Sequence, residues 1–245
     1  MLFFTKKSSY LKDLIPSNYT DIHSHLLPGI DDGATDSDHS ITLITELKNL
    51  GFSNFITTPH VMEHVWENTK EKIESTLLTT QKSLTANGIN NSFKAAAEYM
   101  LDEKFRKLFQ EEQLLTLKDN YVLVEMSYLS APLQLYNIIF DLQVAGYKPI
   151  LAHPERYNFY HSNTKEYTKL KHAGCLFQMN LLSAVGYYGP MVAKTADYLL
   201  KNNLINFVGS DVHHLKHIES FDKKIVLKNT DAFKDVFQNN NFFTP

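Results

Sequence analysis

Residues 19–34 read Tyr-Thr-Asp21-Ile-His23-Ser-His25-Leu-Leu-Pro-Gly-Ile-Asp31-Asp32-Gly-Ala. Their β-branched and aromatic start predicts a strand over 19–25 that ends in two histidines. His23 and His25 are two apart, so in a strand both side chains point to one side and can share an ion. The following Gly-Ile-Asp-Asp-Gly is a turn sequence, which also swings a carboxylate over the site six or seven residues after His25. It is not an EF-hand, because the one-three-five acidic spacing with glycine at six is absent.

The same ending recurs along the chain. Strands are predicted over 52–60, 92–99, 121–126, 148–153, 174–180 and 204–210, alternating with helical periodicity near 37–50, 69–87, 102–109, 132–145, 165–172, 191–201 and 231–237. The strands close on Thr-Pro-His60, Ala-Glu98-Tyr, Val-Glu125-Met, Ala-His153-Pro, Gln178-Met-Asn180 and Ser-Asp211-Val-His213. Six of seven end in His, Asp or Glu. Strands alternating with helices imply a parallel α/β sheet. Chemistry gathered at the C-terminal rim, drawn from several strands, is the habit of barrel enzymes. No Gly-rich phosphate loop follows the first strand, which leaves a nucleotide-binding open sheet unsupported.

Imidazole and carboxylate donors without thiolates suit Zn, Mn or Fe and argue against a structural zinc site. Nine candidate ligands exceed the needs of one ion, so a cluster of two or three divalent metals is expected. Buried carboxylates at these ends are costly without cations. Arg156, just past a strand end in His153-Pro-Glu-Arg-Tyr, is positioned to offer its fork to phosphate oxygens. His39, His64, His161, His172 and His217 read as structural, Lys118 and Asp119 as a surface turn, and Met62 with Trp66 as lid or packing.

Composition excludes much else. The 245 residues carry 24 basic and 27 acidic side chains, a net charge of −3, which is no footprint for nucleic acid or an anionic membrane. No apolar run approaches the ~18 residues of a membrane span, and the N-terminus is a poor signal peptide, so a cytoplasmic protein without membrane insertion is expected. Cys175 is the single cysteine. It sits in an apolar run with Leu181, not arginine, six residues on, which excludes a cysteine-based phosphatase and predicts an inert buried thiol.

The ordered set DIHSH, TPH, AEY, VEM, AHPERY and GSDVHH resembles the polymerase and histidinol phosphatase (PHP) superfamily over about residues 19–220. DIHSHLLPGIDDGA with HPERY is similar to the bacterial manganese-dependent tyrosine-protein phosphatases of capsule and exopolysaccharide synthesis. The resemblance implies a distorted seven-stranded TIM-like (β/α)7 barrel over 19–245, preceded by an extension over 1–18. It implies one ion among His23, His25, Glu98 and Asp211, with Glu98 bridging to a second held by Glu125 and His153, and a third on Asp32, His60 and His213. Manganese is expected first, with Fe, Zn or Mg as alternatives. Arg156 matches the family's phosphate-gripping arginine, whereas the stretch after Asp211-Val-His213 holds Lys216 and His217 in place of a second one.

The implied reaction is phosphotyrosine hydrolysis by a metal-activated hydroxide, without a phosphoenzyme. Asp211 or His213 would assist the leaving phenolate. The implied partner is a phosphotyrosine protein such as a bacterial tyrosine kinase. A histidinol-phosphatase or other small-molecule phosphomonoesterase uses the same rim. A non-catalytic metal-bound interaction module would be expected to have degraded ligands, and here the set is complete.

Overall fold

In the computed structural model, residues 9–111 and 114–245 are described. The elements run β1 (Tyr19–Asp21), α1 (Ser37–Asn49), β2 (Phe52–Thr57), β3 (His60–Val61), α2 (Lys70–Ala86), β4 (Ser92–Ala95), β5 (Glu98–Met100), α3 (Glu103–Glu111), β6 (Tyr121–Glu125), α4 (Leu135–Val144), β7 (Lys148–Ala152), α5 (Lys165–His172), β8 (Leu176–Asn180), α6 (Pro190–Lys201), β9 (Phe207–Gly209), α7 (Leu215–Glu219) and α8 (Thr230–Asn239). All pairs between these strands are parallel. They form a three-stranded sheet, β1-β2-β4, and a six-stranded one, β3-β5-β6-β7-β8-β9.

Two of the expected strands are therefore broken. The 52–60 run divides at Thr58-Pro59, where proline has no N–H to give the ladder. The 92–99 run divides at Ala96-Ala97. Ala96 N donating to Thr57 O (2.9 Å) and Glu98 N donating to Pro59 O (3.1 Å) carry the pairing across both breaks. The first strand ends at Asp21 rather than His25, and beyond it the chain meets the segment after β9. Ser24 bridges Val212 in parallel, and Asp211 N donates to His23 O at 2.7 Å.

Strand residues alternate between two cores, as a pleat requires. Ile22, Ile56, Leu123, Ile150 and Phe207 enclose an inner cluster that Phe243 joins near the C-terminus. Phe55, Val122, Val124, Leu151, Phe177 and Val208 face the helices. Asp36 caps α1 by accepting from His39 N (2.9 Å), and Thr69 caps α2 by accepting from Lys72 N (3.2 Å). The fourth helix begins at Leu135, three residues later than Pro132 promised, because 127–134 is spent crossing the rim. The five-residue α7 is too short to leave a periodic signal. Of the expected 1–18 extension, residues 1–8 lie outside the described residues. The remainder packs on the body: Leu11 is buried, and Leu11 N donates to Lys223 O at 3.1 Å. Among the described residues no helix is long and apolar enough to cross a membrane.

Candidate metal centre

The strand ends converge. His23 and His25 follow β1, His60 opens β3, Glu98 opens β5, Glu125 closes β6, His153 follows β7, Asp211 and His213 follow β9, and Asp32 arrives on the loop before α1. Among the described residues, four groups have ligand atoms within 4.8 Å of one another: His25, Asp32, His60 and His213; His23, His25 and Asp211; His60, Glu98 and Glu125; His23, Glu98 and His153. Shared members make them one cluster, and Glu98 is its hub. Glu98 Oε2 lies 3.2 Å from His23 Nε2, 3.4 Å from His25 Nε2 and 3.2 Å from His60 Nδ1, and Glu98 Oε1 lies 3.1 Å from His153 Nε2. The grouping differs from the implied one in that His60, rather than His153, stands with Glu98 and Glu125. His153 Nε2 is 4.0 Å from Glu125.

Outer partners set the orientation of the imidazoles. Asp31 Oδ2 accepts from His25 Nδ1 (2.8 Å), Gln178 Oε1 from His23 Nδ1 (2.7 Å), and the Asp211 carbonyl from His213 Nδ1 (3.0 Å). Each such bond holds the proton on Nδ1 and leaves the Nε2 lone pair facing inward. The two adjacent aspartates thus divide: Asp31 is buried and orients His25, while half-exposed Asp32 faces His60 and His213, each at 3.5 Å.

Local backbone makes this convergence possible. A side chain at Gly33 would collide with the carbonyl and Cβ of His25, so only glycine lets the aspartate loop fold back onto the histidine. His153 and Asp211 have φ of 36° and 50°. This left-handed conformation costs a residue with a Cβ on the order of 1–3 kcal/mol and turns each side chain inward from its strand end.

The donor set fits cations. His60 Nδ1, Glu98 Oε2 and Glu125 Oε1 are buried and have no hydrogen bond, although His60 Nδ1 is 2.9 Å from Glu125. His23 Nε2 and His25 Nε2 face each other at 3.4 Å. Burial opposes charge throughout; it prevails at His153, whose imidazolium it pulls below the ordinary range, and neighbours overrule it at His23, Asp211 and Glu98. The His23 imidazolium is pulled down by burial but raised to about 9 by Glu98 and Asp211. The Asp211 carboxyl is pushed up by burial, yet His23, His25 and Arg156 hold it well below the usual carboxylate range. Glu98 is likewise held low against its burial by His23, His60 and His153. Five histidines around ionised carboxylates are what a multi-cation site requires.

A cleft of about 650 Å³ opens above this floor. Arg156 lies in it with its guanidinium 4.2 Å from the Tyr188 ring and 4.7 Å from the Tyr128 ring, donating from Nη1 to Asp211 Oδ2 at 2.8 Å. It does not pair with Glu155, which is buried and accepts from Asn180 N and Ser183 Oγ. Met62 and Trp66 line the cleft wall, on a turn closed by Met62 N donating to Trp66 O (2.9 Å). His217, read as structural from sequence, also lines the cleft, and its Nδ1 accepts from His213 N at 3.2 Å. Lys216 points to solvent instead.

Asp31, Gln178, Asn180, Tyr128 and Tyr188 were not among the expected site residues. Gln178 and Asn180 had a signal, the one strand end carrying amides. The tyrosines had none, because an aromatic in a loop is ordinary.

Residues 19–225 match the family model for capsular polysaccharide synthesis, CpsB/CapC. The chain is 32% identical over 197 residues to the tyrosine-protein phosphatase YwqE of Bacillus subtilis, covering 80% of this chain and 78% of that one. It is 30% identical over 205 residues to the tyrosine-protein phosphatase CpsB of Streptococcus pneumoniae, covering 80% and 83%. The crystal structures of YwqE from B. subtilis and CpsB from S. pneumoniae, described as unique metal-dependent tyrosine phosphatases, include a chain that superposes with a TM-score of 0.79 at 28% identity, over 92% of this chain and 91% of that one. A histidinol phosphate phosphatase from Lactococcus lactis shares the fold alone, with a TM-score of 0.52 at 13% identity over 84% and 91%. This protein belongs to the CpsB/CapC family of capsular polysaccharide synthesis.

Proposed function

We propose that this protein is a metal-dependent protein-tyrosine phosphatase acting in capsular or exopolysaccharide synthesis. The observation that carries the reading is the cluster of inward-facing, unbonded His and carboxylate atoms beneath a cleft that also holds Arg156. Its relatives' names supply the substrate class. His23, His25, Asp32, His60, Glu98, Glu125, His153, Asp211 and His213 would hold two or three divalent ions, manganese foremost. Residues 19–245 form one catalytic unit, read as a seven-stranded barrel with two broken strands and closed where Ser24 meets Val212. The partner is a phosphotyrosine protein, a bacterial tyrosine kinase in the cytoplasm.

Bound divalent ions supply Lewis acidity toward phosphoryl oxygens and acidify water near neutral pH. The chain's own residues do the rest. Arg156, in cation–π contact with Tyr128 and Tyr188, presents donors to the equatorial oxygens as their charge develops. Asp211 is ionised, so it anchors Arg156 and serves as ligand rather than proton donor. His213 commits its Nδ1 hydrogen to the Asp211 carbonyl and turns Nε2 toward the cations, so it too serves as a ligand, and protonation of the leaving group falls to solvent. Tyrosine leaves as a phenolate with an aqueous pKa near 10, so little of the barrier rests on that transfer.

The test is phosphate release by manganese-loaded protein from a phosphotyrosine peptide and from histidinol phosphate, side by side. Preference for the peptide, abolished by a chelator, is expected. Preference for histidinol phosphate would keep the site and overturn the substrate.

A further inference from the structure

The outer surface of α4 is apolar on the side that should be wettest. Among the described residues, thirteen large apolar side chains are exposed, and six of them fall in the short stretch from Tyr128 to Val144. Leu129 is 90% exposed, Phe140 65% and Val144 71%. Tyr136, Phe140 and Val144 are four apart and share a helix face. Leu133 and Leu129, also exposed, lie on the non-helical segment that leads into α4. The opposite face, Leu135, Ile138, Ile139 and Leu142, already packs against the core. A helix apolar on both sides belongs inside a protein or under a partner.

The surrounding charges do not reclaim this face for water. Arg106 and Asp141 are spent on each other at 2.9 Å. Glu166 accepts from the Tyr136 hydroxyl at 3.0 Å and pairs with Lys169. The stripe also has a direction. Ser127 and Tyr128 line the cleft, Leu129 is the next residue, and α4 then carries the stripe away from the mouth for about 12 Å between Tyr136 and Val144 at 1.5 Å per residue.

We infer that the stripe Leu129–Leu133–Tyr136–Phe140–Val144 is a docking surface for the polypeptide that carries the phosphotyrosine, gripping an apolar segment of it as it leaves the cleft. The inference rests on the tyrosine phosphatase reading. Continuity decides the occupant: Leu129 directly follows Ser127 and Tyr128 of the cleft lining, so the stripe extends the surface that a chain held by its phosphotyrosine already touches. An extended chain advances about 3.3 Å per residue, so roughly four residues would span the part of the stripe that lies on α4. Selectivity would then come from apolar residues flanking the phosphotyrosine, and it would be absent with small aryl phosphates.

Two twenty-residue phosphotyrosine peptides of equal charge test this, one with leucines flanking the phosphotyrosine on both sides and the other with serines there. Wild-type protein is expected to show about tenfold higher kcat/KM on the leucine peptide. The Leu133→Ser/Phe140→Ser double variant should lose that preference and hydrolyse para-nitrophenyl phosphate as wild type does. Equal wild-type rates on the two peptides, or a preference that survives in the double variant, overturn the docking surface while leaving the activity standing. No hydrolysis of either peptide or of para-nitrophenyl phosphate would overturn the phosphatase reading itself. Sedimentation that finds a dimer in wild type and a monomer in the double variant would assign the stripe to self-association and overturn the inference.

Discussion

Asp31 Oδ2 accepts a 2.8 Å hydrogen bond from His25 Nδ1, and both groups are buried. The carboxylate also accepts from His60 N and Gly33 N, so one side chain fixes the aspartate loop, a histidine ring and the start of β3. Those bonds aim His25, and among the described residues Asp31 is not in any of the groups whose geometry could hold a cation.

Asp31→Ala should therefore lower metal affinity by roughly 10–100-fold, the usual loss when an outer partner of a ligating histidine is removed. Titration of the metal-free protein with Mn²⁺ by calorimetry reads this directly, with circular dichroism as the control for folding. Unchanged affinity would show that packing alone orients His25.

Gly33→Ala should be more damaging than its size suggests. The added methyl would collide with His25, so the loop bearing Asp31 and Asp32 must lift away. Bound metal, counted by elemental analysis after gel filtration, is expected to fall below the wild-type stoichiometry.

Arg156 lies over the rings of Tyr128 and Tyr188, and cation–π contacts of this kind are worth about 0.5–2 kcal/mol. Tyr188→Leu should raise KM for a phosphotyrosine peptide by roughly 2- to 30-fold with a smaller change in kcat, and Tyr188→Phe should behave like wild type. Arg156→Ala should cost about 10²-fold or more in kcat/KM in a folded protein. Arg156→Lys should recover little, because lysine lacks the planar fork. His153→Ala should likewise lose turnover while folded, and near-normal turnover would sink its assignment as a ligand.

Cys175 is buried and its thiol is pushed up to about 12 from an ordinary value of 9.0. Above pH 9 the unfolded chain has lost this proton while the native protein keeps it, so stability falls as pH rises, by up to about 1.4 kcal/mol per pH unit from this group. Urea unfolding between pH 9 and about pH 11 should show a steeper loss in wild type than in Cys175→Ala. The same burial predicts no labelling by a thiol reagent at pH 8 until the protein is denatured.

Periodicity and strand-end chemistry already stand in the linear sequence. The alternation of short β-branched runs with helical periods specifies a parallel α/β fold, because pleat and helix impose different spacings on apolar residues. The candidate metal ligands were legible for the same reason: a strand end in a parallel sheet is a fixed address, and His, Asp or Glu at six of seven such addresses is a pattern. Tertiary structure alone decided the rest. Asp31 and Asp32 are adjacent and chemically identical, and only the fold of the Gly33 turn sends one behind His25 and the other toward His60 and His213. The pairing of Arg156 with Asp211 and two tyrosines joins residues 55 positions apart, a distance over which no sequence periodicity operates. The bare face of α4 shows the same limit, because an amphipathic count identifies apolar positions but not which of them the core has room to cover.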